Sequence, residues 1–216
     1  MLKKETNFDS RPPQLSAKAE AGADFPAIGK IRPNILLGVS GGIAAYKAVD
    51  LASKLTAASA RVHTVMTENA CRFVSPKSFE GVTGSAVFTS MWSTPEEYKS
   101  GHIALLDWAD VIVVAPATAD IISKIANGIC DDLLSTTLCA CWRKPTLLAP
   151  AMNNNMWTNP AIQHNVTMIK KMGFKIIGPA EGRLACGTEA IGRMAEPQDI
   201  LEAIEKITSK IKKRKA

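Results

Sequence analysis

What the chain lacks narrows the field first. No run approaches the roughly 18 to 20 apolar residues that a membrane-crossing helix needs, so no segment reads as spanning a bilayer. The five cysteines, Cys71, Cys130, Cys139, Cys141 and Cys186, include no C-x-x-C pair and fit no zinc spacing. Their odd number, in a chain with ample apolar core, fits a reducing compartment, and the expected location is the cytoplasm. The early lysines have no apolar stretch after them, which excludes a secretory signal. Glu5, Asp9, Glu20 and Asp24 argue against an organelle transit peptide. There is no internal repeat and no G-x-G-x-x-G pattern.

The net charge of +6 would suggest nucleic acid, but its distribution argues otherwise. Residues 1–32 carry +2, residues 206–216 carry +6, and the stretch between carries −2. The excess therefore sits at the ends, and a solvated basic tail over 208–216 explains it without a nucleic-acid or membrane partner. Residues 1–33 are polar and broken by Pro12, Pro13, Pro26 and Pro33, a composition that predicts a disordered arm.

From Asn34 onward, strand-like and helix-like segments alternate. Short apolar runs at Asn34–Val39, Arg61–Met66, Asp110–Ala115, Thr146–Ala149 and Phe174–Ile177 predict strands. Helical periodicity covers Ile43–Ala57, Ala119–Asn127, Leu133–Cys141 and Ala161–Met172. A last helix opens at Pro197, with Ile200, Leu201, Ile204, Ile207 and Ile211 on one face. Such alternation with apolar strands predicts an α/β domain over 34–207, a parallel sheet covered on both faces. Ligands bind such sheets at the C-terminal ends of the strands.

The segment Pro150-Ala151-Met152-Asn153-Asn154-Asn155-Met156-Trp157 leaves one of those ends. A neutral amide such as Asn153 donates two hydrogen bonds and suits a carboxylate without adding charge. The turn after the first strand, Gly38-Val39-Ser40-Gly41-Gly42, either cradles a single phosphate at a helix N-terminus or is an ordinary tight turn. Thr67 is a candidate ligand contact or a helix N-cap, and Phe73 a ring neighbour or a core residue. Pro116-Ala117-Thr118-Ala119 offers small residues against which a flat ring can lie, with Thr118 a ring contact or a cap. His102 stands at an expected helix start, where a neutral imidazole able to take a proton is favoured; a lone structural histidine is the plain alternative. His63 and His164 read as structural. Residues 182–194 hold three glycines, Arg183, Arg193 and Cys186 with no regular period, which predicts a long functional loop or lid. Either arginine there can lower the thiol pKa or hold a substrate phosphate. An incidental cysteine on a surface loop is the alternative.

The motif Pro-x-Met-Asn-x-x-Met-Trp at 150–157 resembles the signature of the flavin-containing cysteine decarboxylases. Gly101-His102-Ile103 and the Cys186 to Met194 segment are similar to the same family, with Ala190 standing where its pattern has glycine. The resemblance spans about Asn34 to Ile207. It implies a Rossmann-like, flavodoxin-like three-layer sandwich that binds FMN through Gly38, Ser40, Gly41, Gly42, Thr67, Phe73, Pro116, Ala117, Thr118, Ala119 and Ala151. It implies His102 in oxidative decarboxylation, Cys186 as proton donor during reduction, and Asn153, Met156, Arg183 and Arg193 at the substrate. Decarboxylation of 4′-phosphopantothenoylcysteine through a thioaldehyde and an enethiolate, in coenzyme A biosynthesis, is the implied reaction. A homotrimer or multiple of trimers is implied, with Trp92, Trp142 and Trp157 as candidate contacts. The implied partner is a separate phosphopantothenate–cysteine ligase, unless this chain is a piece of a longer one. A peptidyl-cysteine decarboxylase, a flavin prenyltransferase and a non-catalytic flavoprotein of the same fold are the competing readings.

Overall fold

The computed structural model describes residues 32–92, 101–183, 185 and 187–215. The arm through residue 31 and Cys186 lie outside the described residues. Six strands form one parallel sheet: β1 (Asn34–Val39), β2 (Arg61–Met66), β3 (Val87–Phe88), β4 (Val111–Ala117), β5 (Thr146–Pro150) and β6 (Lys175–Ile176), in the order β3-β2-β1-β4-β5-β6. This is the doubly wound order of Rossmann-type sheets, in which the chain reverses direction of travel between β1 and β4.

The alternation of side chains along each strand explains the two apolar layers. Ile35, Leu37 and Val39 of β1 join Val111, Val113 and Ala115 of β4 in one core cluster. Leu36, Ile112, Val114 and Ala117 enter the other. On the first face lie α1 (Ala45–Ala57), α2 (Glu68–Cys71), α3 (Pro76–Thr83) and α9 (Pro197–Lys215). On the second lie α4 (His102–Trp108), α5 (Ala119–Asn127), α6 (Leu133–Ala140) and α8 (Pro160–Lys171). A sheet buried on both sides by apolar side chains, each contributing about 1.5–3 kcal/mol, sets a rigid platform for the loops at its C-terminal edge.

Several boundaries differ from those read in the sequence. Pro33 is buried and its carbonyl accepts a hydrogen bond from the Arg61 amide (2.9 Å), so the folded body already includes it. Helix α1 starts at Ala45, not Ile43, because the Ala45 amide closes a turn onto the Gly42 carbonyl at 2.9 Å. Strand β4 continues through Pro116 to Ala117, with an irregular register between Val114 and Ala117. Helix α9 runs to Lys215, so most of the expected basic tail is helical, and Thr208 at its start is buried. Residues 182–194, expected as an irregular loop, instead belong largely to an antiparallel hairpin, β7 (Ala180–Arg183) with β8 (Glu189–Arg193). No helix among the described residues is long and apolar enough to cross a membrane.

His63 is structural, as its place in β2 suggests. Its ring lies 4.0 Å from that of Trp108 and meets Phe88 edge-on at 5.6 Å. Burial, and secondarily the Arg61 charge, holds its pKa below the usual 6.5. The unfolded chain therefore binds a proton at His63 more readily than the fold does. Stability from this group is complete above about pH 6.5 and declines as the pH falls toward the lowered folded value. Thermal melts between about pH 7.5 and 5.5 should show a decline that His63→Phe flattens. Identical slopes in the two proteins would remove His63 as its source.

Candidate functional site

The C-terminal ends of β1 and β4 are tied together by one buried hydroxyl. Ser40 Oγ donates to the Pro116 carbonyl at 2.7 Å and accepts from the Thr118 amide at 3.0 Å. The remaining contact, Thr118 Oγ1 at 3.0 Å, must then be donated by Thr118, because a serine hydroxyl carries a single proton. Ser40, a candidate ligand in the sequence, is thus a brace between two loops and is only 1% exposed. Thr118 precedes α5 without giving it a side-chain cap. With its proton directed at Ser40, its lone pairs are left as acceptors.

The glycines around this junction serve close approach. A Cβ on Gly41 would lie 2.4 Å from Asn69 Cβ, and one on Gly38 would lie 2.6 Å from Leu134 Cδ1. Gly38 therefore makes room for α6, whereas Gly41 seats the first loop against α2. The Thr67 amide donates to the Val39 carbonyl (3.1 Å), and its hydroxyl accepts from the Ala70 amide (3.2 Å), so Thr67 is the N-cap of α2. Phe73 is 52% exposed and is not a core residue. Above the junction, α1 opens on Ala44, which gives no side-chain cap, and its first turn carries no acid. A positive helix end with no capping side chain and no acid suits an anion there.

The amide-rich segment hangs beside this crevice. The Ala151 amide donates to the Ala117 carbonyl (3.1 Å), and the Met152 amide donates to the Gly192 carbonyl (2.9 Å). Asn153 is the N-cap of α7 (Asn154–Trp157), its side chain accepting from the Asn155 amide at 2.8 Å. Met156 is exposed, while Trp157 is half-buried and packs against the second core cluster. Trp92 and Trp142 are exposed, and Arg143 stacks on Trp142 at 4.5 Å.

Sequence reasoning missed how closely the hairpin docks here. Gly192 is buried with φ of +146°, and a Cβ on it would stand 2.2 Å from the Met152 carbonyl oxygen. A glycine flanked by Ile191 and Arg193 was the available signal. Arg193 donates to Glu196, and Lys47 Nζ reaches both carboxylate oxygens of Glu196 at 3.0 Å. Lys47 first, then Arg193, hold that carboxyl below its usual range. Arg183 is exposed and faces Glu189 in the hairpin register.

Helix α4 joins the sheet at its opposite edge, where Asn34 Nδ2 donates to the Trp108 carbonyl at 2.7 Å. Its other end, about 10 Å away, carries the half-buried His102 toward the C-terminal edge of the strands. His102 makes no side-chain hydrogen bond to another described residue. Burial pushes the Cys71 and Cys141 thiols up, away from the reactive thiolate, which suits the inert role expected of them.

The Flavoprotein family model matches residues 28–209. The coenzyme A biosynthesis bifunctional protein CoaBC of Bacillus subtilis is 49% identical over 173 residues, covering 80% of this chain and 42% of that protein. The chain thus spans about two fifths of the length of the curated relatives it matches. Among solved structures, a cysteine-to-serine mutant of PPC decarboxylase complexed with pantothenoylaminoethenethiol is 35% identical with a TM-score of 0.76, over 83% of this chain and all of that one. The FMN-dependent cysteine decarboxylase SpaF is 34% identical with a TM-score of 0.72, over 85% of this chain and 99% of that one.

Gly192→Ala should cost about 2 kcal/mol or more of stability, through both the strained φ and the backbone clash. Gly81→Ala, in the middle of α3 with open space around it, should be neutral or gain up to about 1 kcal/mol. Urea titrations of the two variants compare them directly. Equal stabilities would mean that the hairpin is not docked as described.

Proposed function

The chain belongs to the Flavoprotein family, and from that premise we propose that it binds FMN and decarboxylates 4′-phosphopantothenoylcysteine to 4′-phosphopantetheine in coenzyme A biosynthesis. The single observation that carries this reading is the joining of two features at one sheet edge. A small-residue crevice at the β1–β4 switch point adjoins the Asn153 segment through the Ala151–Ala117 hydrogen bond.

The residues present fit the cofactor. Gly42 and the uncapped start of α1 suit its phosphate. The half-buried Ala151 and the backbone of Ala117 and Ala119, whose small side chains are buried, offer a surface for a flat ring, and Thr118 Oγ1 can accept from a ring N–H. Bound there, FMN supplies reversible two-electron chemistry at the cysteinyl carbon, which gives the departing carboxylate an electron sink that an ordinary amino-acid derivative lacks.

The protein's own residues bind, orient and move protons. Asn153 engages the substrate carboxylate through its amide donors, with its backbone fixed by the cap and the Met152–Gly192 bond. Met156 lies against the substrate, and Arg183, at the open end of β7, offers a cation for its phosphate. His102 takes up the proton released at the first stage, and Cys186, between β7 and β8 in the sequence, returns one at the last. A thiol is suited to that step because its unperturbed pKa is about 8.5, against a far weaker serine hydroxyl. Phosphopantothenate–cysteine ligase, separate or part of a longer chain, makes the substrate, and the cytoplasm is the location that the odd cysteine count supports.

Two substitutions test the assignments. Asn153→Asp should keep FMN but lose on the order of 10²-fold in kcat/KM, because a second carboxylate repels the first. Cys186→Ser should still release CO2 in a single turnover, yet give a product two hydrogens lighter by mass spectrometry. Near-parental kinetics in the aspartate variant, or the saturated thiol formed at the parental rate in the serine variant, would remove the respective role.

The active unit in this reading is a homotrimer or a multiple of it. Ile43 and Tyr46 at the start of α1 and Phe73 after α2 are each more than half exposed, which leaves apolar surface beside the crevice. Native mass spectrometry should give three chains or a multiple. An active monomer would contradict it.

A further inference from the structure

Glu196 has no place in the chemistry above, yet it sits where three parts of the molecule meet. It follows Met194 and Ala195, which are 1% and 5% exposed, and precedes Pro197, where α9 begins. Helix α9 is anchored through Ile200, Leu201 and Ile204 in the first core cluster. Lys47 comes from the first turn of α1, with its side chain only 14% exposed. Its ammonium donates to both Glu196 oxygens at 3.0 Å. Arg193, the last residue of β8, donates to the same carboxylate. One acid therefore joins the rigid body, through α1, to the end of the hairpin.

From Arg193 the connection to the amide-rich segment is short. Gly192 is the next residue, and its carbonyl accepts from the Met152 amide at 2.9 Å. Its Cα presses on the Met152 carbonyl so closely that no side chain fits between them. Asn153 is the next residue after Met152. Any shift of β8 is thus transmitted to the backbone that carries the Asn153 carboxamide.

We infer that Glu196 is a positioning residue, its carboxylate clasping Lys47 and Arg193 so that β8 holds the Met152–Asn153 backbone in place to receive the substrate carboxylate. Arg193 is accordingly a strut of the hairpin, and its charge is directed at Glu196 in preference to a substrate phosphate. The functional half of the inference rests on the reading of Asn153 as the carboxylate ligand. The structural half does not.

Two adjacent amides provide the test. Met152 donates to the hairpin, and Ala151 donates to β4. In FMN-loaded Glu196→Gln, hydrogen exchange at the Met152 amide should speed up about tenfold, the scale of a lost charge-assisted bond, while the Ala151 amide keeps its parental rate. KM for phosphopantothenoylcysteine should rise about tenfold with kcat within about twofold. Lys47→Met should act in the same direction, and the double variant should be no worse than the worse single one, because both remove one clasp. An unchanged Met152 exchange rate overturns the proposal, as does equal acceleration at Ala151 and Met152, which would mean general loosening. Additive effects of the two substitutions also overturn it. Absence of turnover in the parent protein would sink the decarboxylase reading alone, since the exchange comparison still decides the clasp.

Discussion

The hydroxyl of Ser40 is the point on which the architecture of the site depends. Its one proton goes to the Pro116 carbonyl and its lone pairs receive the Thr118 amide and hydroxyl. A buried hydroxyl with every valence met fixes the distance between two loops that come from strands far apart in sequence. The loops lie at the switch point between β1 and β4, where a doubly wound sheet opens a crevice. The brace also settles which way the Thr118 proton points, and so what that side chain offers to a ligand. Without the Ser40 hydroxyl, the Thr118 amide would lose its acceptor, a loss of about 1–3 kcal/mol, and the Pro116 carbonyl would keep only the longer 3.4 Å bond from the Ser40 amide.

A second level of organisation is built on this. The Ala117 carbonyl, one residue past Pro116, accepts from the Ala151 amide, which brings the amide-rich segment alongside. The hairpin then closes over that segment through Gly192, and Glu196 fixes the hairpin to α1. The switch-point crevice, the Asn153 segment and the hairpin are thus hung in series from one sheet edge. The sheet supplies rigidity, and the loops supply chemistry.

The strands that build the sheet were readable in the sequence because burial on both faces leaves a continuous apolar run. Val111 to Ala117 is buried at every position, and its apolar run at 111–114 is unmistakable. Strand β3, with two residues, carries no such signal. The hairpin was illegible for a different reason. Glu181, Arg183 and Glu189 are exposed, Gly182 and Gly192 interrupt the run, and a half-exposed ribbon of that kind has the composition of a loop. The 38–42 turn and the 116–119 segment, both singled out by residue type, meet at one place in the structure. The division of labour among them was hidden. Gly38 yields space to Leu134, Ser40 is consumed internally, and Thr67 is a cap, all determined by tertiary neighbours that spacing alone does not reveal. Glu196 was invisible for the same reason, since its partners lie 149 and 3 residues away.

The most direct test of the account is the mass of the product formed from 4′-phosphopantothenoylcysteine by the purified protein, without oxygen or any added oxidant, over many turnovers. The expected product is the saturated thiol, 4′-phosphopantetheine, formed with one CO2 per substrate consumed and with the flavin absorbance unchanged at the end. A product two hydrogens lighter that stops after one equivalent and leaves the flavin bleached would contradict it. That result would place the chain with cysteine decarboxylases that release an oxidised enethiol.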